Sequence, residues 1–159
     1  MKSSPFNSGL ESALRTLTVL TAIYPLAADL QRLLMFDYLL VHSADAYGPS
    51  SLHPNTPLRN GELLVRRSLV EQGLLLLVSR QLAARQTAAD GICYSASEQA
   101  LPFLDSLSSQ YVQGLRERAY WIEEQFMPLS DLQLQTFFKE NFAQWTTEFI
   151  HDDRSLELL

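Results

Sequence analysis

The stretch that most constrains the fold lies between Asn60 and Ser97, where a long apolar run passes directly into an alternating one. The first part, NGELLVRRSLVEQGLLLLVSRQLAAR, has the length and apolar content of a buried helix. In the second part, QTAADGICYSAS, an Asp-Gly turn signal precedes alternation of Ile92, Tyr94 and Ala96. Gly91 would supply the positive φ that a short hairpin connection needs. The segment therefore predicts a helix followed by a two-stranded ribbon.

A helix, a tight ribbon and then a new helix are the pattern of a winged helix-turn-helix, in which the ribbon is the wing. The alternative is a buried helix followed by an incidental hairpin. We expect a mainly α fold, with a winged helix-turn-helix-like core at residues 8–97 and a C-terminal helical extension at residues 98–150. Residues 151–159 are expected to form a flexible tail.

The composition describes a chain that can build a core without a metal or a disulfide. It has 159 residues, of which 47% are hydrophobic. The single cysteine, Cys93, cannot form an internal disulfide, and no apolar run is long enough to span a bilayer. The N-terminal MKSSPFNSG lacks the apolar centre of a signal peptide. We therefore expect a cytoplasmic protein that does not contact a membrane.

The net charge of −6 is unevenly distributed. Residues 1–97 carry eight Lys/Arg against seven Asp/Glu, whereas residues 98–159 carry four against eleven. Phosphate binding draws on clustered positive charge, so the chain has no general attraction for nucleic acid. Any contact with DNA would have to be local.

Capping signals and prolines predict the other helix boundaries. Ser8 and Glu11 have capping-box spacing, so a first helix should begin there and stop near Tyr24. Pro25 fits the first turn of a second helix. The residues expected to face the core on these two helices are Leu10, Leu14, Leu17, Leu20, Leu30, Leu33, Leu34, Tyr38 and Val41.

The C-terminal part is expected to form two further helices. Ser95 and Glu98 again have capping-box spacing, and one long helix should run from there to about Phe126. Ser130 can cap the last helix. An aromatic stripe on that helix is usually core, but on an acidic segment it could also anchor a partner protein. The stripe consists of Phe138, Phe142, Trp145 and Phe149.

A loop rich in proline is expected from Ala46 to Asn60, with the sequence AYGPSSLHPNTPLRN. Loops of this length inside a compact domain are often functional. This one could dock a partner, or it could be a surface crossing that joins two helices, and its length favours neither. The interface candidates in it are Leu52, His53, Leu58 and Arg59.

The basic residues around the third helix form the one basic cluster in the sequence. In a DNA-binding winged helix, such a helix enters the major groove with arginines on base edges or phosphates. The run from Leu74 to Val78 is apolar all round, however, which favours a buried helix, and Gly73 could mark a turn between two shorter helices. The candidate nucleic-acid contacts are Arg66, Arg67, Arg80 and Arg85.

Catalytic and cofactor motifs are absent from the sequence. His42, His53 and His151 are scattered and lack metal-ligand spacing, and there is no phosphate loop or nucleophile elbow. Asp37 and His42 are five residues apart on a predicted helix and should point in different directions. Asp37 is expected instead to accept hydrogen bonds from an arginine or a helix end. We therefore expect no cofactor, no metal and no enzymatic activity.

Five segments together resemble a known family. They are DLQRLLMFDYLLVHSAD, GPSSLHP, GELLVRRSLVEQGLLLLVSRQL, DGICYSASEQA and LRERAYWI. Over roughly residues 10–150 the chain resembles the middle component of prokaryotic three-component ABC-ATPase (ABC-3C) conflict systems, a group that includes the small subunit of Lamassu anti-phage systems. The resemblance carries over no catalytic residues. It implies only structural or interface roles for Asp37, His53, Arg66, Arg67 and Tyr94.

The function that this resemblance implies is that of a non-enzymatic adaptor in an anti-phage or anti-plasmid defence complex. Such an adaptor lies between an SMC/Rad50-like ABC ATPase, which senses nucleic acid, and an effector, often a nuclease. It would meet DNA only indirectly, through the complex. The alternative function is a DNA-binding winged-helix transcriptional regulator that uses the four arginines.

Overall fold

The computed structural model describes residues 8–54 and 62–142, and this part of the chain is mainly helical with one small antiparallel sheet. None of the described helices is long and apolar enough to cross a membrane. The elements in chain order are α1 (Gly9–Ile23), β1 (Ala28–Asp29), α2 (Leu30–Val41), a 3-10 turn (Ser43–Ala46), α3 (Glu62–Ser79), β2 (Ala83–Ala88), β3 (Gly91–Ala96), α4 (Ala100–Asp105), α5 (Gln110–Gln125) and α6 (Asp131–Asn141).

The predicted ribbon is present as β2 and β3. The two strands pair antiparallel, from Ala83 opposite Ala96 to Ala88 opposite Gly91. Gly91 has a φ of 123°, the left-handed conformation that glycine adopts without steric cost. The two-residue strand β1, which was not predicted, pairs with the other edge of β3, and the sheet order is β1-β3-β2.

The start of α2 differs from the prediction. The helix α1 begins as expected, with Ser8 as its N-cap, but Pro25 does not open the second helix. The chain after Pro25 stays extended through β1, and α2 begins only at Leu30, where the Asp29 side chain caps the helix. A proline fixes φ at a value that suits extended chain as well as a helix start, so pairing with β3 decides the outcome.

The long helix predicted to reach Phe126 is two helices. The helix α4 ends at Asp105, and α5 begins at Gln110 with Ser109 as its N-cap. The intervening serines favour caps and turns because their hydroxyls compete for backbone hydrogen bonds. The last helix begins as predicted, and Ser130 forms a reciprocal capping box at its start.

The helix α3 is continuous through Gly73, so the suggested turn at this residue is wrong. Gly73 instead lets α1 approach closely, since a Cβ at this position would lie 2.8 Å from the backbone nitrogen of Ala13. The segment from Leu74 to Val78 was expected to be buried on more than one side, and its outward side is open. Leu77 is buried, but Leu75 is 74% exposed.

Within the described residues, one hydrophobic core includes residues from both parts of the chain, among them Leu17 of α1, Leu39 of α2, Leu115 of α5 and Phe138 of α6. The helix α2 is central, because ten consecutive residues from Arg32 to Val41 are buried. Leu10 was expected to face this core and is 72% exposed. The proposed boundary between residues 97 and 98 stays a prediction.

Candidate interaction surfaces

A buried carboxylate joins three helices at the centre of the fold. Asp37 of α2 is 2% exposed, and its Oδ1 accepts a hydrogen bond from Nε of Arg15 in α1 at 2.8 Å. Its Oδ2 accepts a hydrogen bond from Arg66 in α3. Burial alone would raise the pKa of Asp37, but the two guanidinium groups outweigh it and hold that pKa below its ordinary value. Asp37 is therefore the arginine-paired carboxylate that the sequence predicted.

A group of neutral aromatic and imidazole side chains lies next to this carboxylate. Nε2 of His53 lies 2.8 Å from the hydroxyl of Tyr111, and the two rings are stacked. Burial lowers the pKa of His53 to about 4 and raises that of Tyr111 to about 12. Burial also lowers the pKa of His42, whose Nδ1 has no hydrogen-bond partner among the described residues. Within residues 8–54 and 62–142, no group of His, Cys, Asp and Glu could hold a metal ion.

The first half of the proline-rich loop is fixed against α5. The carbonyl oxygen of Ser50 accepts hydrogen bonds from Arg118 at 2.7 and 3.0 Å, and the half-buried Leu52 lies over Gly114. Leu58 and Arg59 lie outside the described residues. The role of this loop in partner docking stays a prediction, and its described half has the contacts of a surface crossing.

The described part of the aromatic stripe packs inward. Phe138 is 1% exposed and belongs to the core, while the half-buried Phe142 contacts the ring of Tyr38 with centroids 5.0 Å apart. Trp145 and Phe149 lie outside the described residues. The proposed partner contact of the last helix stays a prediction.

The four arginines do not form one open basic surface. Arg66 is paired with Asp37, and Arg67 pairs with Glu71 of the next helical turn at 3.3 Å. Arg80, just after α3, and Arg85, in β2, are exposed. Two of the four guanidinium groups thus already have carboxylate partners, which reduces the positive charge available to phosphates.

The side of α3 that faces away from α1 carries exposed apolar residues. We call it the outer face of α3, and it consists of Leu64, Val65, Ser68, Glu71 and Leu75. Its apolar members are 56% (Leu64), 60% (Val65) and 74% (Leu75) exposed. Single exposed apolar residues are common on proteins, but several on one helix face are typical of a protein interface. Sequence reasoning missed this face, because a helix that is apolar all round is normally buried.

A second open surface is a groove of about 660 Å³ between α1, the end of α3 and the segment around α4. Its walls are mainly apolar, and Glu11 and Arg80 are the charged residues in its lining. Sequence reasoning missed the groove as well, because its residues come from separate elements. The main apolar lining residues are Leu10, Leu14, Leu76, Leu82, Phe103 and Leu107.

Comparison with protein families gives a match that covers all the elements described above. The model of the family described as ABC-three component (ABC-3C) system Middle Component 2 matches residues 5–148. Comparisons with curated proteins and with solved structures each gave no match.

Proposed function

Because the chain belongs to the ABC-three component system Middle Component 2 family, we propose that it is the non-enzymatic adaptor subunit of an ABC-3C complex. In this proposal the adaptor bridges an SMC/Rad50-like ABC ATPase and an effector such as a nuclease, within an anti-phage or anti-plasmid defence system. We include in the same proposal that the chain is related to the small subunit of Lamassu systems.

The observation that carries the proposal is the outer face of α3. We assign a winged-helix core to the segment from α1 to β3, on the basis of its element order and its sheet order β1-β3-β2. In DNA-binding relatives of that architecture, the helix at the position of α3 enters the major groove with polar residues. Here the corresponding face carries Leu64, Val65 and Leu75, which suit contact with a protein.

The proposal that the adaptor has no enzymatic activity rests on the polar residues at the centre of the fold. A general acid or base works best with a pKa near the operating pH. The pKa of Asp37 lies below its ordinary value and that of His53 is about 4, so neither group exchanges protons near pH 7. Both side chains are already engaged, Asp37 with two arginines and His53 with Tyr111.

Affinity purification of the tagged chain from its native host tests the adaptor proposal. We expect an ABC ATPase to co-elute in a fixed ratio at moderate salt and to remain bound as the salt rises, because apolar contacts are not screened. An unrelated tagged protein from the same host is the control. Elution of the chain alone, or with DNA only, would contradict the proposal.

The second candidate function is a DNA-binding winged-helix regulator, which is favoured by the exposed Arg80 and Arg85 near the end of α3 and in the hairpin. If both arginines contact phosphates, replacing them with alanine should reduce the slope of log affinity against log salt by about two. Titration of duplex DNA at several salt concentrations measures that slope. Lack of duplex binding at low salt would exclude a regulator.

A further inference from the structure

We propose that a second copy of the chain binds to the outer face of α3 through its own α3, and that this homodimer separates when the partner subunit binds. The two helices run antiparallel about a two-fold axis. The inference rests on the proposed function, because it places a regulation of partner binding on the same surface. It goes beyond that function in the occupant, which is the chain itself.

The spacing of the outer face suits a second helix. Leu64, Ser68, Glu71 and Leu75 follow one another at steps of four, three and four residues, which is the spacing of a coiled-coil seam. A leucine stands at each end of this seam, and the two polar residues lie between them. A two-fold axis at the middle of the seam therefore places Leu64 of each copy against Leu75 of the other. Both exposed leucines are then removed from water.

The polar centre of the seam is complementary to itself about the same axis. The axis brings Ser68 of each copy next to Glu71 of the other. The Oγ atom of Ser68 accepts a hydrogen bond from Gln72 at 3.3 Å, and its own proton can be donated to that carboxylate. Arg67 flanks the seam beside Ser68, so its guanidinium group also reaches Glu71 of the other copy. Each of these contacts is made twice.

The ion pair already present on α3 does not oppose this arrangement. Arg67 and Glu71 pair within one helix at 3.3 Å, and their side chains are 31% and 53% exposed. A partly exposed pair of this kind contributes little to stability. Replacing it with a pair across the axis therefore costs little, and no like charges face each other along the seam.

Self-association makes partner binding depend on the concentration of the chain. Two helices of this length bury less area than a standard stable interface, so the homodimer should dissociate on dilution. A partner that contacts the same leucines binds only the released monomer, and its apparent affinity falls as the fraction of dimer rises. The homodimer thus covers the apolar face until the partner replaces the second copy.

Sedimentation equilibrium of the purified full chain tests for the homodimer. We expect the wild type to change from monomer to dimer between micromolar and millimolar concentrations. Leu75→Asp should weaken dimerisation at least about a hundredfold, because it places a charge at both ends of the seam. Leu132→Asp is the control, since it changes an equally exposed leucine of α6 and should dimerise like the wild type. A wild type that stays monomeric at millimolar concentration, or a Leu75→Asp variant that dimerises normally, overturns the inference.

Charge reversal tests the antiparallel register. Arg67→Glu and Glu71→Arg each place like charges across the axis, so each variant alone should dimerise about tenfold more weakly than the wild type. A mixture of the two variants has opposite charges at both contacts across the axis. It should form heterodimers at least about tenfold more tightly than either variant forms homodimers. Like charges remain within each helix of the mixture, so the pair within one helix does not explain such a rescue. Heterodimers no tighter than the homodimers would overturn the inference.

Competition with the partner separates this inference from the proposed function. Energy transfer between differently labelled copies of the chain reports the homodimer, and we expect it to disappear when purified ABC ATPase is added. If the ATPase binds a chain that does not self-associate, or binds the intact homodimer, the adaptor proposal stands and the inference fails. If the chain dimerises through α3 but no ATPase binds it, the homodimer stands and the adaptor proposal fails.

Discussion

The inner and outer faces of α3 carry similar residues but have different surroundings. On the inner face, Val70 and Leu77 are buried and Gly73 contacts the backbone of α1, while Arg66 pairs with Asp37. On the outer face, Leu75 is 74% exposed. Hydrophobicity alone therefore does not tell which side of α3 is core. The glycine and the ion pair select the packed side, and they leave the opposite side available for a partner.

The largest effect is expected at the ion pair that fixes the inner face. Asp37→Ala leaves Arg15 and Arg66 without their carboxylate and should lower the free energy of unfolding by about 3–5 kcal/mol at pH 7. Urea denaturation measures this value. Asp131→Ala is the matched control, since its carboxylate is 71% exposed and pairs with Arg32 at 2.7 Å. That variant should lose about 1 kcal/mol or less.

The ion pair of Asp37 with its two arginines also predicts that the stability of the fold depends on pH. The pKa of Asp37 in the folded chain lies below its ordinary value of 3.8, so the unfolded chain takes up the proton first as the pH falls. The contribution of the pair is complete above the ordinary pKa and is lost as the pH falls through the folded pKa. Wild type and Asp37→Ala should therefore converge in acid. A constant difference down to pH 2 would contradict this explanation.

The next effect concerns the glycine contact on the inner face. Gly73→Ala places a methyl group against the α1 backbone and should cost about 1–3 kcal/mol of unfolding free energy. Gly114→Ala in α5 is the control, because its new methyl group would meet side chains and no backbone, namely the end of Leu52 at 3.1 Å and Nη1 of Arg118 at 3.5 Å. That variant should be neutral, or more stable by up to about 1 kcal/mol from helix propensity. The unfolding free energy of both variants is measured by thermal or urea unfolding. Equal losses in the two variants would mean that the close approach of α1 does not cause the cost of a side chain at position 73.

A smaller effect on stability is expected for His53, which connects the proline-rich loop to α5 through its contact with Tyr111. Its pKa of about 4 lies below the ordinary 6.5, so the unfolded chain binds the proton at a higher pH than the folded chain does. Stability should therefore decline as the pH falls from 6.5 towards 4, and less so in His53→Gln. NMR titration of the ring measures the pKa directly. A value of 6.5 in the folded chain would show that the ring is open to water.

The parts of the fold that were predicted correctly depend on residues close together in the sequence. The Asp90-Gly91 turn defines the hairpin, and Ser8 and Ser130 define helix starts through hydrogen bonds to backbone three residues away. The missed strand β1 has only two residues and is defined by pairing with β3, across more than sixty residues of chain. No local pattern contains that information.

The candidate surfaces were predictable only in part, for a related reason. A buried aspartate on an apolar helix implies a cationic partner, and Arg15 and Arg66 confirm that expectation for Asp37. The sequence did not separate the paired Arg66 from the exposed Arg80 and Arg85, because the carboxylate that pairs with Arg66 lies on another helix. The exposure of Leu75 likewise follows from which side of α3 meets α1.

The most direct test of the account is the affinity of the purified ABC ATPase for two variants with matched exposure, measured by isothermal titration calorimetry. Leu75→Asp and Leu132→Asp each change a leucine that is 74% exposed, and neither should alter unfolding by more than about 0.5 kcal/mol. A charge placed in an apolar interface should weaken binding by at least about tenfold for Leu75→Asp, while Leu132→Asp should bind like the wild type. Wild-type affinity in a folded Leu75→Asp variant would contradict the claim that the outer face of α3 binds the partner.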